Sequence, residues 1–122
     1  MTSLIHLDKD PDVHIRLDSY RVPAEARAEF EAGVHRSVAL LETLPGFRAH
    51  LALAKESGGS AFNIVTIAVW QSSEAMANAV TQVQAYYQRI GYDPRESAAR
   101  LGITAEVGNY YVPIHIDPAA IR

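Results

Sequence analysis

The chain has 122 residues, of which 48% are apolar, and a formal net charge of -3. This length and composition describe one folded domain with a substantial core and exclude a disordered chain. The acidic balance argues against a nucleic-acid partner, which requires a basic face. The absence of Cys excludes disulfides and thiolate chemistry, and no apolar run approaches the roughly 18 residues of a membrane span.

Residues 1–12 are mixed in character and include Pro11. We therefore expect an N-terminal arm on a single domain that spans residues 1–122. The start of the chain has neither the basic stretch nor the apolar run of a signal peptide. These features predict a cytoplasmic protein that does not interact with membranes.

A first strand is predicted over residues 13–22, where apolar and polar side chains alternate. Alternation places successive side chains on opposite faces of a strand. One face is apolar, and the other carries His14, Arg16, Asp18 and Tyr20. Pro23 suits the first position of the helix that follows, and Pro45-Gly46 ends that helix.

The second strand, residues 47–55, alternates again and carries Arg48 and His50 on its polar side. This pattern predicts a solvated histidine on an edge strand. The segment Ser57-Gly58-Gly59-Ser60 is typical of a hairpin tip. The third strand, residues 61–71, is apolar on both faces, which is typical of a central strand covered on both sides.

A second helix is predicted to begin after Ser72, a typical N-cap residue, and to end at Gly91. Asp93-Pro94 then begins a short helix that Gly102 stops. A last strand is predicted over residues 103–116. Pro113 cannot donate to a strand ladder, so it marks an edge or a strand end.

The order β-α-β-β-α-β with one extra short helix predicts a ferredoxin-like α+β fold. In this fold the sheet is antiparallel, the first and third strands are central, and the helices cover one face. The apolar third strand requires the other face to be covered too. A second copy of the chain is the commonest cover for so small a sheet, so we predict a homodimer that forms a dimeric α+β barrel.

The polar face of the first strand is the main candidate site. Burying unpaired charge costs several kcal/mol, so these side chains line either a wet cavity or a solvent-facing edge with an Arg16–Asp18 pair. Trp70, the only Trp, is either a cavity wall or a core residue. The pairs Tyr86-Tyr87 and Tyr110-Tyr111 either stack on a flat aromatic ligand or serve as core and interface residues.

No metal or cofactor site is indicated. The five His residues show no metal-ligand spacing. The chain lacks the Gly-x-Ser-x-Gly elbow of serine acyl transfer and the Gly-x-Gly-x-x-Gly loop of nicotinamide and flavin folds. We therefore expect no bound metal and no cofactor.

Four segments resemble the antibiotic biosynthesis monooxygenase domain family: YRVP at 20–23, AEF at 28–30, LETLPGF at 41–47 and AVWQSSEA at 68–75. The resemblance covers most of residues 13–112. It implies a homodimer with a cavity between each sheet and its helices. It also implies oxygenation of a phenolic, polycyclic aromatic substrate without flavin, haem or metal. Trp70 matches the Trp at the end of a strand in this family, and Thr66 stands where characterised members have Asn.

A haem-degrading branch of the same fold is similar as well. Its axial His lies on the second helix, whereas residues 76–90 contain no His. Its pocket Asn on the first strand falls near Asp18, which cannot donate through an amide. These two differences argue against haem degradation.

The leading hypothesis is a homodimer that binds a small aromatic molecule as a cofactor-independent monooxygenase. Asp18 or His14 is the candidate base, and Arg16 or Tyr20 stabilises the oxyanion. Trp70 and Tyr87 wall the pocket, with Thr66 also in contact with substrate. Two alternatives stay open: a non-catalytic ligand-binding or accessory dimer, and an isomerase or detoxification enzyme on the same scaffold.

Overall fold

A computed structural model describes residues 12–113, so the predicted arm and the predicted last strand beyond residue 113 lie outside the described part of the chain. The elements follow the predicted order: β1 (His14–Arg21), a 3-10 turn (Ala24–Ala26), α1 (Arg27–Leu41), β2 (Phe47–Ala54), β3 (Ile64–Trp70), α2 (Ser73–Ile90), α3 (Pro94–Leu101) and β4 (Thr104–Tyr111). This confirms the ferredoxin-like α+β class.

The four strands form one antiparallel sheet in the order β2-β3-β1-β4. The predicted central pair, β1 and β3, is therefore confirmed. All three α-helices pack on the same face of the sheet. Leu41 of α1 and Met76 of α2 contact the cluster around Trp70, while Phe30 of α1 and Leu101 of α3 contact the cluster around Ile64.

The ends of the helices follow from local hydrogen bonds. The Ser72 hydroxyl oxygen accepts a hydrogen bond from the Ala75 N–H at 3.1 Å, as expected of an N-cap. Asp93 caps α3 by accepting from the N–H of Arg95 at 2.9 Å. Pro23 differs from the prediction: it has extended ψ and precedes the 3-10 turn, and α1 begins only at Arg27.

A β-bulge at the start of β2 corrects the predicted orientation of that strand. Phe47 lies opposite Trp70, but Ala49 lies opposite the next residue, Val69, so β2 has one extra residue at Arg48. Beyond the bulge, His50 pairs with Ala68 and points to the helix side of the sheet. The prediction that His50 shares a solvated face with Arg48 is therefore wrong.

The face of the sheet away from the helices is apolar. The register places Leu51, Ile67 and Leu17 side by side on this face, in one row across three strands. Leu51 and Leu53 are 37% and 46% exposed. Among residues 12–113, none of the helices is both long and apolar enough to pass through a membrane.

Candidate active site

A cavity of about 360 Å³ lies between the helix side of the sheet and the three helices. The sheet supplies its floor through β1, β2 and β3, because alternate residues of each strand point to this side. The helices supply its walls. The lining is mostly apolar, with a group of polar side chains on β1, so the cavity suits a largely aromatic molecule with a polar substituent.

The floor is built around a hydrogen-bonded row on β1. The Arg16 Nε donates to Asp18 Oδ1 at 2.7 Å, and the Tyr20 hydroxyl donates to Asp18 Oδ2 at 3.1 Å. The Arg16 and Asp18 side chains are 33% and 17% exposed, respectively. Each carboxylate oxygen therefore accepts one hydrogen bond, whereas the terminal amino groups of Arg16 make no hydrogen bond within residues 12–113 and are available to a ligand.

Two cross-strand rows complete the floor. In one row, His50 of β2, Ala68 of β3 and Arg16 of β1 lie side by side. In the next, Thr66 lies opposite Asp18. Because Ala68 has only a methyl group, it leaves an open space between the imidazole of His50 and the guanidinium of Arg16.

Tyr20 is a neutral hydrogen-bond donor at physiological pH. Burial raises the pKa of Tyr20 to about 12, with a further increase from the negative charge of Asp18. A hydrogen bond from Thr66 and the positive charge of Arg16 act in the opposite direction and are outweighed. The phenolic proton therefore stays on Tyr20, where it can be donated to Asp18 or to a ligand.

His50 is the one histidine among the residues lining this cavity. Burial lowers the pKa of its imidazole, and the negative charge of Asp18 opposes part of that decrease. Neither ring nitrogen makes a hydrogen bond within residues 12–113. The lowered pKa of His50 favours the neutral imidazole, which has one nitrogen lone pair and can therefore accept a proton in the cavity.

The walls are apolar and aromatic. Trp70 is 2% exposed and packs its ring against Phe47, with centroids 5.5 Å apart and planes at 73°. Met76 and Val83 of α2 and Tyr87, near the end of that helix, also line the cavity. The two alternatives for Trp70 thus coincide, because the same residue is part of the core and part of the wall.

The structure brings together six of the seven predicted site residues. Arg16, Asp18, Tyr20, Thr66, Trp70 and Tyr87 all line the cavity, but His14 does not. The His14 Nδ1 lies 2.8 Å from the backbone oxygen of Asp12, and its ring lies against Tyr111. His14 is the first residue of β1, opposite Trp70, but its ring is engaged with Asp12 and Tyr111 and does not line the cavity.

His50 is the cavity residue that sequence reasoning missed. The alternating pattern of β2 would place it correctly only if the bulge at Arg48 were known. Of the two tyrosine pairs, only Tyr87 lines the cavity; Tyr86 lies beside the guanidinium of Arg89, 5.3 Å from ring centroid to carbon.

The residues present do not match a haem site of the expected kind. The cavity side of α2 carries Met76, Ala79, Val80, Val83 and Tyr87, and α2 contains no His. His50 lies on the floor, next to the Arg16–Asp18 pair, and not on the helical wall. Within residues 12–113, no group of three His, Asp or Glu side chains is arranged to hold a metal ion.

Comparison with solved structures relates this architecture to known proteins. SnoaB, a cofactor-independent oxygenase from Streptomyces nogalater, is 28% identical, with a TM-score of 0.63 over 86% of this chain and 97% of its own. A haem-degrading protein from Mycobacterium tuberculosis shares the fold at 17% identity, with a TM-score of 0.56 over 86% of this chain and 99% of its own.

A third structure, from Deinococcus radiodurans, is provisionally assigned to antibiotic biosynthesis monooxygenases and is 14% identical to this chain. The match covers 85% of this chain and 96% of the Deinococcus chain, with a TM-score of 0.60. No family model matches the chain, and none of the curated proteins is significantly similar to it. The fold and its neighbours nonetheless confirm the resemblance drawn from the sequence, which is to the antibiotic biosynthesis monooxygenase domain family.

Proposed function

We propose that the chain is a cytoplasmic, homodimeric, cofactor-independent monooxygenase of phenolic, polycyclic aromatic substrates. The observation that carries this proposal is the combination, in one cavity, of an aromatic wall at Trp70 and a charged floor at Arg16, Asp18 and Tyr20. The likeness to SnoaB supports the same class of reaction. A cavity of about 360 Å³ accommodates a molecule of a few fused rings.

The substrate rings lie against Trp70 and Tyr87, and a phenolic or enolic oxygen points to the floor. The terminal amino groups of Arg16 donate to that oxygen, and Tyr20 and Thr66 lie beside it. Such donors matter most when the oxygen becomes an anion, because charge–dipole interactions are strong where water is excluded. The floor therefore favours the ionised substrate over the neutral one.

The ionised substrate is itself the reductant. Loss of the hydroxyl proton gives an electron-rich anion, which passes one electron to O₂. The superoxide and the substrate radical then combine in a carbon–oxygen bond. The resulting peroxide takes up a proton and loses water as the remaining C–H proton departs, so a methylene carbon becomes a carbonyl. One oxygen atom enters the product, the other leaves as water, and the substrate supplies every electron.

Oxygen uptake with a dihydroxyanthrone tests this function directly. The purified protein, assayed with a metal chelator and without added flavin or haem, should consume O₂ faster than the spontaneous reaction. Isotopically labelled O₂ should place one labelled atom in the quinone carbonyl. A rate equal to the spontaneous one, together with tight binding of the compound, would instead favour the non-catalytic accessory protein.

Filling the space above Ala68 should abolish this activity. In Ala68→Phe the new ring occupies the gap between His50 and Arg16, so the expected result is loss of dihydroxyanthrone binding and of catalysed uptake. Overpacking should cost about 1–3 kcal/mol of stability, which urea unfolding measures. Ala77→Phe, at an exposed position of α2 that does not line the cavity, is the matched control and should retain full activity.

The homodimer is proposed from the uncovered face of the sheet. Leu17, Ile67 and Leu51 form a continuous apolar row there, and no helix of residues 12–113 covers them. Burial of apolar surface contributes about 25 cal/mol per Å², so two such faces associate favourably. A symmetric pair would also close the sheet side of both subunits.

Leu51→Glu should dissociate the dimer. Leu51 is 37% exposed in the single chain, so a charge there is tolerated by one subunit but is buried without a partner in the dimer. Sedimentation should show twice the chain mass of 13.4 kDa for the wild type and the single mass for the variant. Ile90→Glu, at a 53% exposed position on α2, should remain dimeric. A wild-type monomer at micromolar concentration would contradict the proposal.

A further inference from the structure

We propose that His50 is the base that removes the hydroxyl proton of the substrate and later returns it to the peroxide. This inference rests on the proposed function, and it replaces the two bases expected from the sequence. His14 lies outside the cavity. Asp18 lies within it, but its position argues against proton transfer to its carboxylate.

The Asp18 carboxylate already accepts hydrogen bonds from two other side chains. Its Oδ1 accepts from Arg16 at 2.7 Å and its Oδ2 from Tyr20 at 3.1 Å. Protonation of either oxygen would remove the negative charge that pairs with Arg16 and weaken both hydrogen bonds. A substrate proton on Asp18 would therefore weaken an existing ion pair, whereas a proton on His50 displaces no hydrogen bond within residues 12–113.

The cross-strand row that contains His50 supplies the geometry. His50, Ala68 and Arg16 are neighbours across β2, β3 and β1, and adjacent strands lie about 4.8 Å apart. The imidazole and the guanidinium therefore flank a gap above the methyl group of Ala68. A phenolic oxygen in this gap lies between a proton acceptor on one side and a cation on the other.

The electrostatics of the cavity suit a base that acts reversibly. Burial keeps the imidazole neutral before the reaction, as its lowered pKa indicates, and the Asp18 charge stabilises the imidazolium once it forms. An imidazole is also closer than a carboxylate to the pKa of a phenol, so the proton transfer is less uphill. The imidazolium is then the proton donor for the peroxide.

Other titratable groups also face the cavity, and their ionisation limits the pH range in which a measurement reports on His50. In addition to the β1 row, the lining includes Glu29 and Arg36 from α1, Tyr87 from α2, and Tyr92 just after that helix. Glu29 is paired with Arg100 on the surface, at 2.5 Å. Tyr20, with a pKa near 12, stays neutral throughout the accessible pH range.

The ionisation of a bound dye tests proton transfer to the base separately from the reaction with O₂. A hydroxyanthraquinone does not react with O₂ and changes colour when it ionises. Bound to the wild type at pH 7, it should show the spectrum of the anion without releasing a proton to a weakly buffered solution, because the proton moves to His50. In His50→Gln, the bound dye should stay neutral until the pH is raised by at least one unit, a tenfold change in proton concentration.

Turnover gives the second measurement. His50→Gln should lower kcat for dihydroxyanthrone roughly 10²-fold at neutral pH with little change in KM. The remaining rate should rise about tenfold per pH unit as solvent hydroxide takes over the proton removal. Added imidazole should restore activity to His50→Ala, whose cavity has room for it. His35→Gln, an exposed histidine outside the cavity, should behave as wild type.

The outcomes separate the two proposals. Dye ionisation that depends on His50, without oxygen uptake by the wild type, would overturn the monooxygenase but retain the base. Normal uptake with an unchanged dye midpoint in His50→Gln would overturn the base alone. If Asp18→Asn, and not His50→Gln, keeps the dye neutral, Asp18 is the base. Failure of the wild type to bind the dye would overturn both.

Discussion

Replacing Trp70 with alanine should lower the free energy of unfolding by about 3–5 kcal/mol. Trp70 is 2% exposed and lies in the cluster with Ala68, Met76 and Ala79, with its ring against Phe47. Its removal leaves a void that joins the cavity and deprives these neighbours of contact. The free energy of unfolding of a small domain is only about 5–15 kcal/mol, so the variant should unfold at a much lower urea concentration than the wild type.

Two variants define the control for this result. Trp70→Phe keeps an aromatic ring against Phe47 and should lose clearly less stability than Trp70→Ala. Tyr111→Ala removes an aromatic residue that is 67% exposed and should change stability by no more than about 0.5 kcal/mol. A loss below about 1 kcal/mol in Trp70→Ala would mean that the cluster around Trp70 is not part of the folding core.

Replacing Arg16 with methionine should lower kcat/KM for dihydroxyanthrone roughly 10²-fold or more. Methionine keeps the length and apolar contacts of the side chain but removes the cation beside the substrate oxygen. It also leaves the Asp18 carboxylate without its ion-pair partner, so the floor repels the anion that it otherwise stabilises. Because Asp18 is only 17% exposed and keeps only the hydrogen bond from Tyr20, the variant should also lose about 1–3 kcal/mol of stability, which urea unfolding measures.

Arg27→Met is the matched control for Arg16→Met. Arg27 also forms an ion pair through Nε, with Glu31 at 2.5 Å, but the pair lies on the exposed surface of α1. Such a pair contributes about 0.3–0.5 kcal/mol and has no contact with the cavity. Steady-state oxygen uptake should therefore be unchanged. Equal losses of activity in the two variants would show that positive charge in general, and not the position of Arg16, matters.

The architecture was accessible from the sequence because each element carries its own signal. Alternation of apolar and polar residues marks β1, the doubly apolar run marks β3 as central, and Ser72 and Asp93 mark the starts of two helices. The start of α1 was less accessible. Pro23 is compatible with a first helical position, but here its carbonyl accepts the Ala26 N–H at 3.0 Å in a 3-10 turn.

Part of the candidate site could also be predicted from the sequence, for the same reason. Arg16, Asp18 and Tyr20 alternate on one strand, so their shared face follows from strand geometry, as does that of Thr66 and Trp70 on β3. Two facts do not follow from a pattern of residue types. One is that the His14 ring contacts Tyr111 and does not line the cavity; the other is the register of β2 against β3, which brings in His50.

The bulge at Arg48 has a consequence for how this cavity can change in evolution. Because one inserted residue decides which side chains of β2 face inward, deleting a single codon there would turn His50 outward and bring a neighbour of opposite parity into the cavity. A point substitution would change one side chain and leave the register of β2 as it is. A deletion or an insertion at this position therefore changes the part of the cavity floor that β2 supplies.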